Sequence, residues 1–324
     1  MNIREYLVQG EPLLFDGAMG TYYASRPGRA GARCEPANLE APDEIAAIHR
    51  AYLEAECKAI RTNTFDLGGD WETAQKIIRV GCQIARSAAK PFGAYVFADL
   101  GPAPQSSALS PGEAYCRQAE IFLNQGLTHF ILETLPTDDG VPELASYLKE
   151  HCPDAFLLVS FAAAPDGVTR EGLSGRALFE RSAALEGVDA VGFNCVSGPR
   201  HLLEFVRGLD LSVLSGKPLS VMPNAGYPTV LGRRVAYRGG ADYFAELMAD
   251  AAGAGAAILG GCCGTTPQHI AQTAQALKCP PGKPFVLPAR PREKAQAQPS
   301  PNHLRDKLAA KQRVTAVELD PPAD

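Results

Sequence analysis

Eight short apolar runs, each followed by a longer amphipathic stretch, organise residues 13–277. The runs are LLF (13–15), AIRTNTF (59–65), FGAYVFADLGP (92–102), HFILETL (129–135), AFLLVSFA (155–162), AVGFNC (190–195), PLSVMPNAG (218–226) and AAILGGCC (256–263). Runs this short and apolar read as buried parallel strands. Between them, helical spacing returns over about 43–57, 71–90, 112–125, 141–150, 175–186, 199–208, 240–253 and 267–277. In the first of these stretches Ile45, Ile48, His49, Tyr52 and Leu53 share one face, and Pro42 suits the first helical position. Eight such repeats over 265 residues predict an α/β chain folded as a (β/α)8 TIM barrel, which typically takes about 250. An open doubly wound sheet is the alternative. It rarely needs eight regular repeats, and no G-x-G-x-x-G follows the first run.

Composition narrows the class. The net charge of −5 argues against a nucleic-acid or anionic-membrane partner. No apolar run nears the ~18 residues of a membrane span, and MNIREYLVQG places charge where a signal peptide needs an apolar core. A cytoplasmic location is expected. Nine cysteines, at 34, 57, 82, 116, 152, 195, 262, 263 and 279, are odd in number and lie mostly in apolar segments. That is not the pattern of a disulfide scaffold.

In a TIM barrel the active site lies at the carboxyl ends of the strands. The polar residues closing the runs are Asp16, Asn63, Thr64, Asp99, Glu133, Thr134, Asn194, Cys195, Asn224, Cys262 and Cys263, and the barrel would gather them on one rim. Consecutive strand side chains point to opposite faces. Cys262 and Cys263 can therefore share a ligand only where the backbone leaves strand geometry, which Gly260, Gly261 and Gly264 permit. Cys195 ends the sixth run. Three thiolates with a fourth position open suit a catalytic zinc, since structural zinc sites are closed by four protein ligands. The other six cysteines read as small apolar residues. A cysteine nucleophile with a histidine base is the competing chemistry. It is weakened because none of the six histidines ends a run.

Asp16 and Glu133 are two carboxylates at the same rim. Taken singly, Asp16 reads as a turn residue before Gly17, and Glu133 as a salt-bridge partner or a solvated strand end. Taken together they suit anchorage of a substrate ammonium through charge-assisted hydrogen bonds. Backbone amides in the turns after Asp16 and Asn63 would suit a substrate carboxylate. With no P-loop and no basic cluster at the rim, the set fits an amino acid better than a phosphate.

These strings resemble the homocysteine S-methyltransferase family. That group includes the homocysteine module of cobalamin-dependent methionine synthase and the betaine- and S-methylmethionine-using enzymes. The resemblance rests on LFDGAMGT (14–21), Asn38-Leu39, PDEIAAIHRAYLEA (42–55), RTNTF (61–65), ET (133–134), GFNC (192–195), PNAG (223–226) and GGCCGTTPQHI (260–270). They run in order over about residues 10–278, and GFNC with GGCCGTTP is the most specific part. The resemblance implies transfer of a methyl group to the thiol of L-homocysteine, giving L-methionine. It implies a zinc ion held by Cys195, Cys262 and Cys263, with the homocysteine thiolate at the open position. It implies Asp16 and Glu133 on the amino group, with Thr64 and Asn194 in the same pocket.

The methyl donor stays open between S-methylmethionine, S-adenosylmethionine and a folate- or cobalamin-derived methyl. Tyr22, Tyr23 and Trp71 would make a partial cage for a cationic donor, or ordinary packing. One departure is Glu56-Cys57, where the family usually has a small Gly-Ala pair before the second strand. It bears on packing, not chemistry. The alternative function is a non-catalytic zinc- or thiol-binding module that serves as a scaffold for a further domain.

Past Leu277 the character changes. Residues 1–280 are assigned to the barrel and 281–302, rich in Pro, Ala, Gln and basic residues, to a linker. VELDPP (317–322) resembles the opening strand of methylenetetrahydrofolate reductases. Residues 303–324 are therefore expected to be the truncated start of such a second domain, or a disordered tail. Any flavin would belong only to that absent domain.

Overall fold

The structure, a computed structural model, describes residues 2–103, 109–231, 234–237 and 239–278. Eight parallel strands, numbered in chain order, form one sheet. Its order is β1 (Leu13–Leu14), β10 (Ala256–Leu259), β7 (Leu219–Met222), β6 (Ala190–Asn194), β5 (Phe156–Phe161), β4 (His129–Leu135), β3 (Tyr95–Leu100) and β2 (Ala59–Arg61). A parallel bridge between Phe15 and Ala59 joins the two ends, and the Asp16 amide donates to the Ala59 carbonyl at 2.9 Å. The sheet is thus the expected (β/α)8 barrel. Helices Pro42–Glu54, Trp71–Ala89, Pro111–Asn124, Val141–His151, Gly175–Ala184, Pro199–Arg207, Ala241–Gly253 and Pro267–Lys278 fall within a few residues of the spans read from periodicity. No helix among the described residues is long and apolar enough to cross a membrane. The expected linker and second domain, and Cys279, lie outside the described residues.

The core has two shells. Leu13, Phe15, Ala59, Phe97, Ile131, Phe156, Leu158, Ala190, Met222 and Ile258 fill the barrel interior, as layered packing requires. The Phe15 and Phe97 ring centroids lie 4.6 Å apart. A larger shell between strands and helices includes Ile45, Ile48, Tyr52, Cys82, Phe122, Leu144, Phe179 and Phe244.

Several short elements escape a periodicity reading, helices Gly20–Ala24 and Ala37–Glu40 among them. Helix Ile3–Val8 is capped by a reciprocal Asn2–Glu5 box and sends Ile3 into the interior cluster, with Tyr6 and Leu7 packed against it. It spans six residues, too few for a 3.6-residue period to show. An antiparallel hairpin, β8 (Pro228–Leu231) with β9 (Arg234–Tyr237), interrupts the path from β7 to the helix at 241–253. At Glu56-Cys57, Glu56 has φ 69°, a left-handed conformation that favours glycine. Cys57 is buried.

Candidate active site at the C-terminal rim

Most strands end earlier than the apolar runs do, β4 excepted, and residues at or just past their ends build the site. Asn63 (φ 56°), Cys195 (φ 59°) and Val196 (φ 54°) adopt left-handed backbone just past their strands, as does Thr134 (φ 61°) near the end of β4. For β-branched Thr134 and Val196 this is a true outlier, and such strain gathers at functional sites. After Leu259 the chain turns, and the turn is pinned from two sides. The Gly261 amide donates to Asp16 O (3.1 Å), Cys262 N–H to Pro223 O (2.8 Å), and Ala225 N–H to Cys263 O (2.9 Å). Thr265 Oγ1 donates to Cys262 O at 2.7 Å and accepts from the Ala18 amide at 3.0 Å. A Cβ on Gly261 would come within 2.4 Å of Thr265 Oγ1, and one on Gly264 (φ +79°) within 2.3 Å of Tyr237 Cβ. The glycines therefore let two adjacent cysteines reach one point.

Cys195, Cys262 and Cys263 meet there, their Sγ atoms all within 4.8 Å of one another. Cys195 Sγ and Cys263 Sγ lie 3.8 Å apart. Zn–S bonds of about 2.3 Å at tetrahedral angles place ligand sulfurs ~3.8 Å apart, so the trio fits zinc. The donors are soft thiols, and no fourth His, Cys, Asp or Glu joins them among the described residues. A zinc ion held by these three alone would keep a fourth coordination position open, the pattern of a catalytic site. Cys263 is held far below the ordinary thiol range, to about 3, first by the Cys195 thiol donating to it and then by that of Cys262.

A cavity of about 880 Å³ opens over the trio. Met19, Tyr22, Phe65 and Tyr237 contribute apolar wall, while Glu35, Arg61, Asp99 and Glu133 contribute charge. Of the four residues expected to touch substrate, Glu133 lines this cavity and Asp16, Thr64 and Asn194 do not. Each of those three has its polar atoms committed behind the wall. Asp16 accepts from Arg61 with both carboxylate oxygens, Oδ1 from Nε at 2.8 Å and Oδ2 from the backbone N–H at 3.1 Å. Thr64 donates to Asp99 O at 2.7 Å. Asn194 donates to Glu133 Oε2 (3.1 Å) and Thr134 Oγ1 (2.8 Å), and its Oδ1 accepts from Ser160 (2.8 Å). Asn224 is buried outside the cavity wall, its Oδ1 unpartnered.

The sequence reading missed Arg61, which was seen only inside RTNTF. It pairs with Glu133 Oε2 at 2.8 Å as well as with Asp16. Asp99 lines the cavity with Oδ1 unpartnered. Burial pushes its carboxyl well above the ordinary range, and the Glu133 charge adds to this. Burial likewise raises Asp16, against the pull of Arg61. Cys34, read as a packing residue, lies in the cavity wall. Among the described residues no histidine does, so this wall offers no imidazole base to a cysteine nucleophile. Of the candidate cage, only Tyr22 faces the cavity; Tyr23 is buried, and Trp71 lies 4.1 Å below the Arg117 guanidinium.

The family model for homocysteine S-methyltransferases matches residues 13–277. The chain belongs to the homocysteine S-methyltransferase family. The methionine synthase of Mycobacterium tuberculosis (strain ATCC 25618 / H37Rv) is 33 % identical over 299 residues, covering 81 % of this chain and 24 % of that protein. That of Mycobacterium leprae (strain TN) is 32 % identical over 297 residues, again 81 % and 24 %. The chain spans about a quarter of the length of these relatives. Among solved structures, the apo form of the homocysteine methyltransferase MmuM from Escherichia coli is similar at 25 % identity and a TM-score of 0.64, covering 85 % of this chain and 99 % of that one. Its metallated form shares the fold at 23 % identity and a TM-score of 0.66, covering 84 % and 99 %.

Proposed function

We propose that the chain transfers a methyl group from a donor to the thiol of L-homocysteine, giving L-methionine, with zinc held by Cys195, Cys262 and Cys263. The observation that carries this reading is the three-thiol cluster opening into a cavity that also presents Glu133. The metallated form of MmuM, on the same fold, supports it. A zinc ion there would keep the substrate sulfur as a thiolate, whereas a free thiol of pKa about 8.5 is only a few per cent ionised near neutral pH.

The protein's own groups do the rest. Glu133 accepts from the substrate ammonium. Glu133 and the unpartnered Oδ1 of Asp99 are acceptors that the cavity wall offers to a cation. Asp16, Thr64 and Asn194 serve as props for these groups. The cavity walls exclude water and hold the sulfur in line with the methyl carbon. A carbon–sulfur bond forms as the bond from methyl to leaving group breaks, and the leaving group keeps that electron pair. The thiol proton has already left to solvent on binding.

The donor is S-methylmethionine, S-adenosylmethionine or a folate- or cobalamin-derived methyl. A cavity of about 880 Å³ holds an amino acid with room for a second reactant. Metal analysis, followed by methionine formation from homocysteine with each donor in turn, tests the reading. Zinc at one per chain with turnover of at least one donor is expected. Bound zinc with no turnover of any donor would leave only a metal-binding module.

A further inference from the structure

Arg61 ends β2 with 7 % of its surface exposed. A guanidinium has five N–H donors in a fixed planar fork. Arg61 directs Nε–H to Asp16 Oδ1 (2.8 Å) and Nη1 to Glu133 Oε2 (2.8 Å). Its Nη2 donates to Gly17 O (2.8 Å) and Gly261 O (3.0 Å). These acceptors come from three other strand ends. Asp16 and Gly17 follow β1, Glu133 lies on β4, and Gly261 immediately precedes Cys262. One side chain therefore grips both the turn that carries two of the thiols and the carboxylate that faces the amine.

We propose that Arg61 is a positioning residue that sets the separation between the sulfur end and the amine end of the site, and so selects homocysteine over cysteine. The proposal rests on the functional reading above, in which the thiol trio holds the metal and Glu133 holds the ammonium. Homocysteine and cysteine differ by one methylene between sulfur and the amine-bearing carbon. A fixed separation admits one chain length, and a loose one admits both. Rigidity is the property at issue. A lysine at this position keeps the charge, but its three donors radiate from a single flexible nitrogen. It lacks the fork that spans Asp16, Glu133 and two carbonyls at once. Gly261 O is also an outer contact of the metal-binding turn, and loss of such contacts typically costs 10–100-fold in metal affinity or activity.

The experiment compares wild type, Arg61→Lys and Arg61→Ala, each checked for folding by circular dichroism and thermal melting. Cobalt(II) binding to the metal-free protein is followed by its thiolate charge-transfer band. Turnover is measured with homocysteine and with cysteine. Arg61→Ala is expected to bind cobalt about 10–100-fold more weakly. Arg61→Lys is expected to lower kcat/KM for homocysteine and to narrow the homocysteine-to-cysteine ratio by roughly 10-fold, within the range one methylene is worth. Guanidinium ion added to Arg61→Ala is expected to restore part of the cobalt affinity and of that ratio.

Unchanged cobalt affinity and an unchanged ratio in the variants would overturn the proposal. So would the failure of both variants to fold, which would assign Arg61 to the architecture instead. A wild-type protein that bound no cobalt and methylated no homocysteine would sink the functional reading, and this proposal with it. That outcome is distinguished by appearing before any substitution is made.

Discussion

The two ends of the barrel follow opposite rules. At the amino-terminal floor, Ile3 plugs the interior and Tyr6, Leu7 and Tyr95 pack against the same apolar cluster. At the carboxyl rim, Asp16, Arg61, Asp99 and Glu133 are all buried, and Asn63, Asp99 and Asn224 each keep a side-chain oxygen without a partner. Four non-glycine residues there hold left-handed backbone, at a cost of about 1–3 kcal/mol each. The floor and the layers above it supply the stability that the rim draws on. Chemistry and stability are thus divided along the barrel axis, and substitutions at the two ends should fail in different ways.

The largest effect is expected at the rim, from Cys263→Ser. Loss of one ligand of three should reduce zinc binding and turnover beyond the ~100-fold typical of an outer contact, while the melting temperature of the metal-free protein stays near wild type. Metal analysis and a donor assay check it. Full zinc with full turnover would break the comparison at its functional end. Phe97→Ala tests the other end. Phe97 is fully buried between Phe15 and Phe156, and its truncation should cost about 3–5 kcal/mol in urea unfolding. Zinc content should be unchanged in the protein that remains folded. Next, Glu133→Gln should raise KM for homocysteine about 10–100-fold, the worth of one charge-assisted hydrogen bond. A larger fall in kcat than rise in KM would mean that Glu133 does more than anchor the amine.

His49 sharpens the division by pH. It is fully buried with neither ring nitrogen partnered, and burial, with the Arg61 charge adding, drives its pKa from 6.5 down to about 4. The unfolded chain takes up this proton near pH 6.5 and the folded chain only near pH 4. The contribution is therefore intact above about pH 6.5 and is lost as pH falls through that window. By pH 5 the loss from this one group is about 2 kcal/mol. Asp16 and Asp99 have the opposite sign, because their raised carboxyls stabilise the fold at acid pH and lose that contribution as pH rises. His49→Leu should remove the acid-side loss and leave the carboxylate part, visible in urea unfolding at pH 7, 6 and 5. An unchanged pH profile in His49→Leu would show that His49 finds a partner.

Much of this division was legible in the sequence. Each strand must bury both faces and each helix one, so the alternation of run and amphipathic stretch specified a barrel, and the barrel specified the rim. Cys195, Cys262 and Cys263 could be read because all three end apolar runs. The roles behind the wall were not legible. Arg61 meets acceptors 45, 72 and 200 positions away, and only the closed sheet makes them neighbours. The hold of Arg61 on Asp16 was not legible either, because a sequence displays the carboxylate but not the cation that pairs with it. The hairpin of β8 and β9 was missed because its strands, four residues each, are too short for an alternating pattern to stand out.

The smallest effects test whether strain follows function. Val196, at the rim beside Cys195, and Glu56, before β2, share nearly the same left-handed φ, 54° and 69°. Val196 is 43 % exposed, so Val196→Gly sacrifices little packing and should gain about 1 kcal/mol in urea unfolding. Glu56 pairs with Lys278 at 2.6 Å on the surface, and exposed pairs of this kind contribute little. Glu56→Gly should therefore raise Tm slightly, by roughly 2 °C. The two should part in turnover. The left-handed turn at Cys195–Val196 aims a thiol at the other two, so freeing the backbone at 196 should lower kcat even as it stabilises. Glu56 lines no part of the cavity, and Glu56→Gly should leave kcat alone. If both variants gained stability with no loss of turnover, strain at the rim would be incidental, and the contrast between the two ends would reduce to where the buried charges lie.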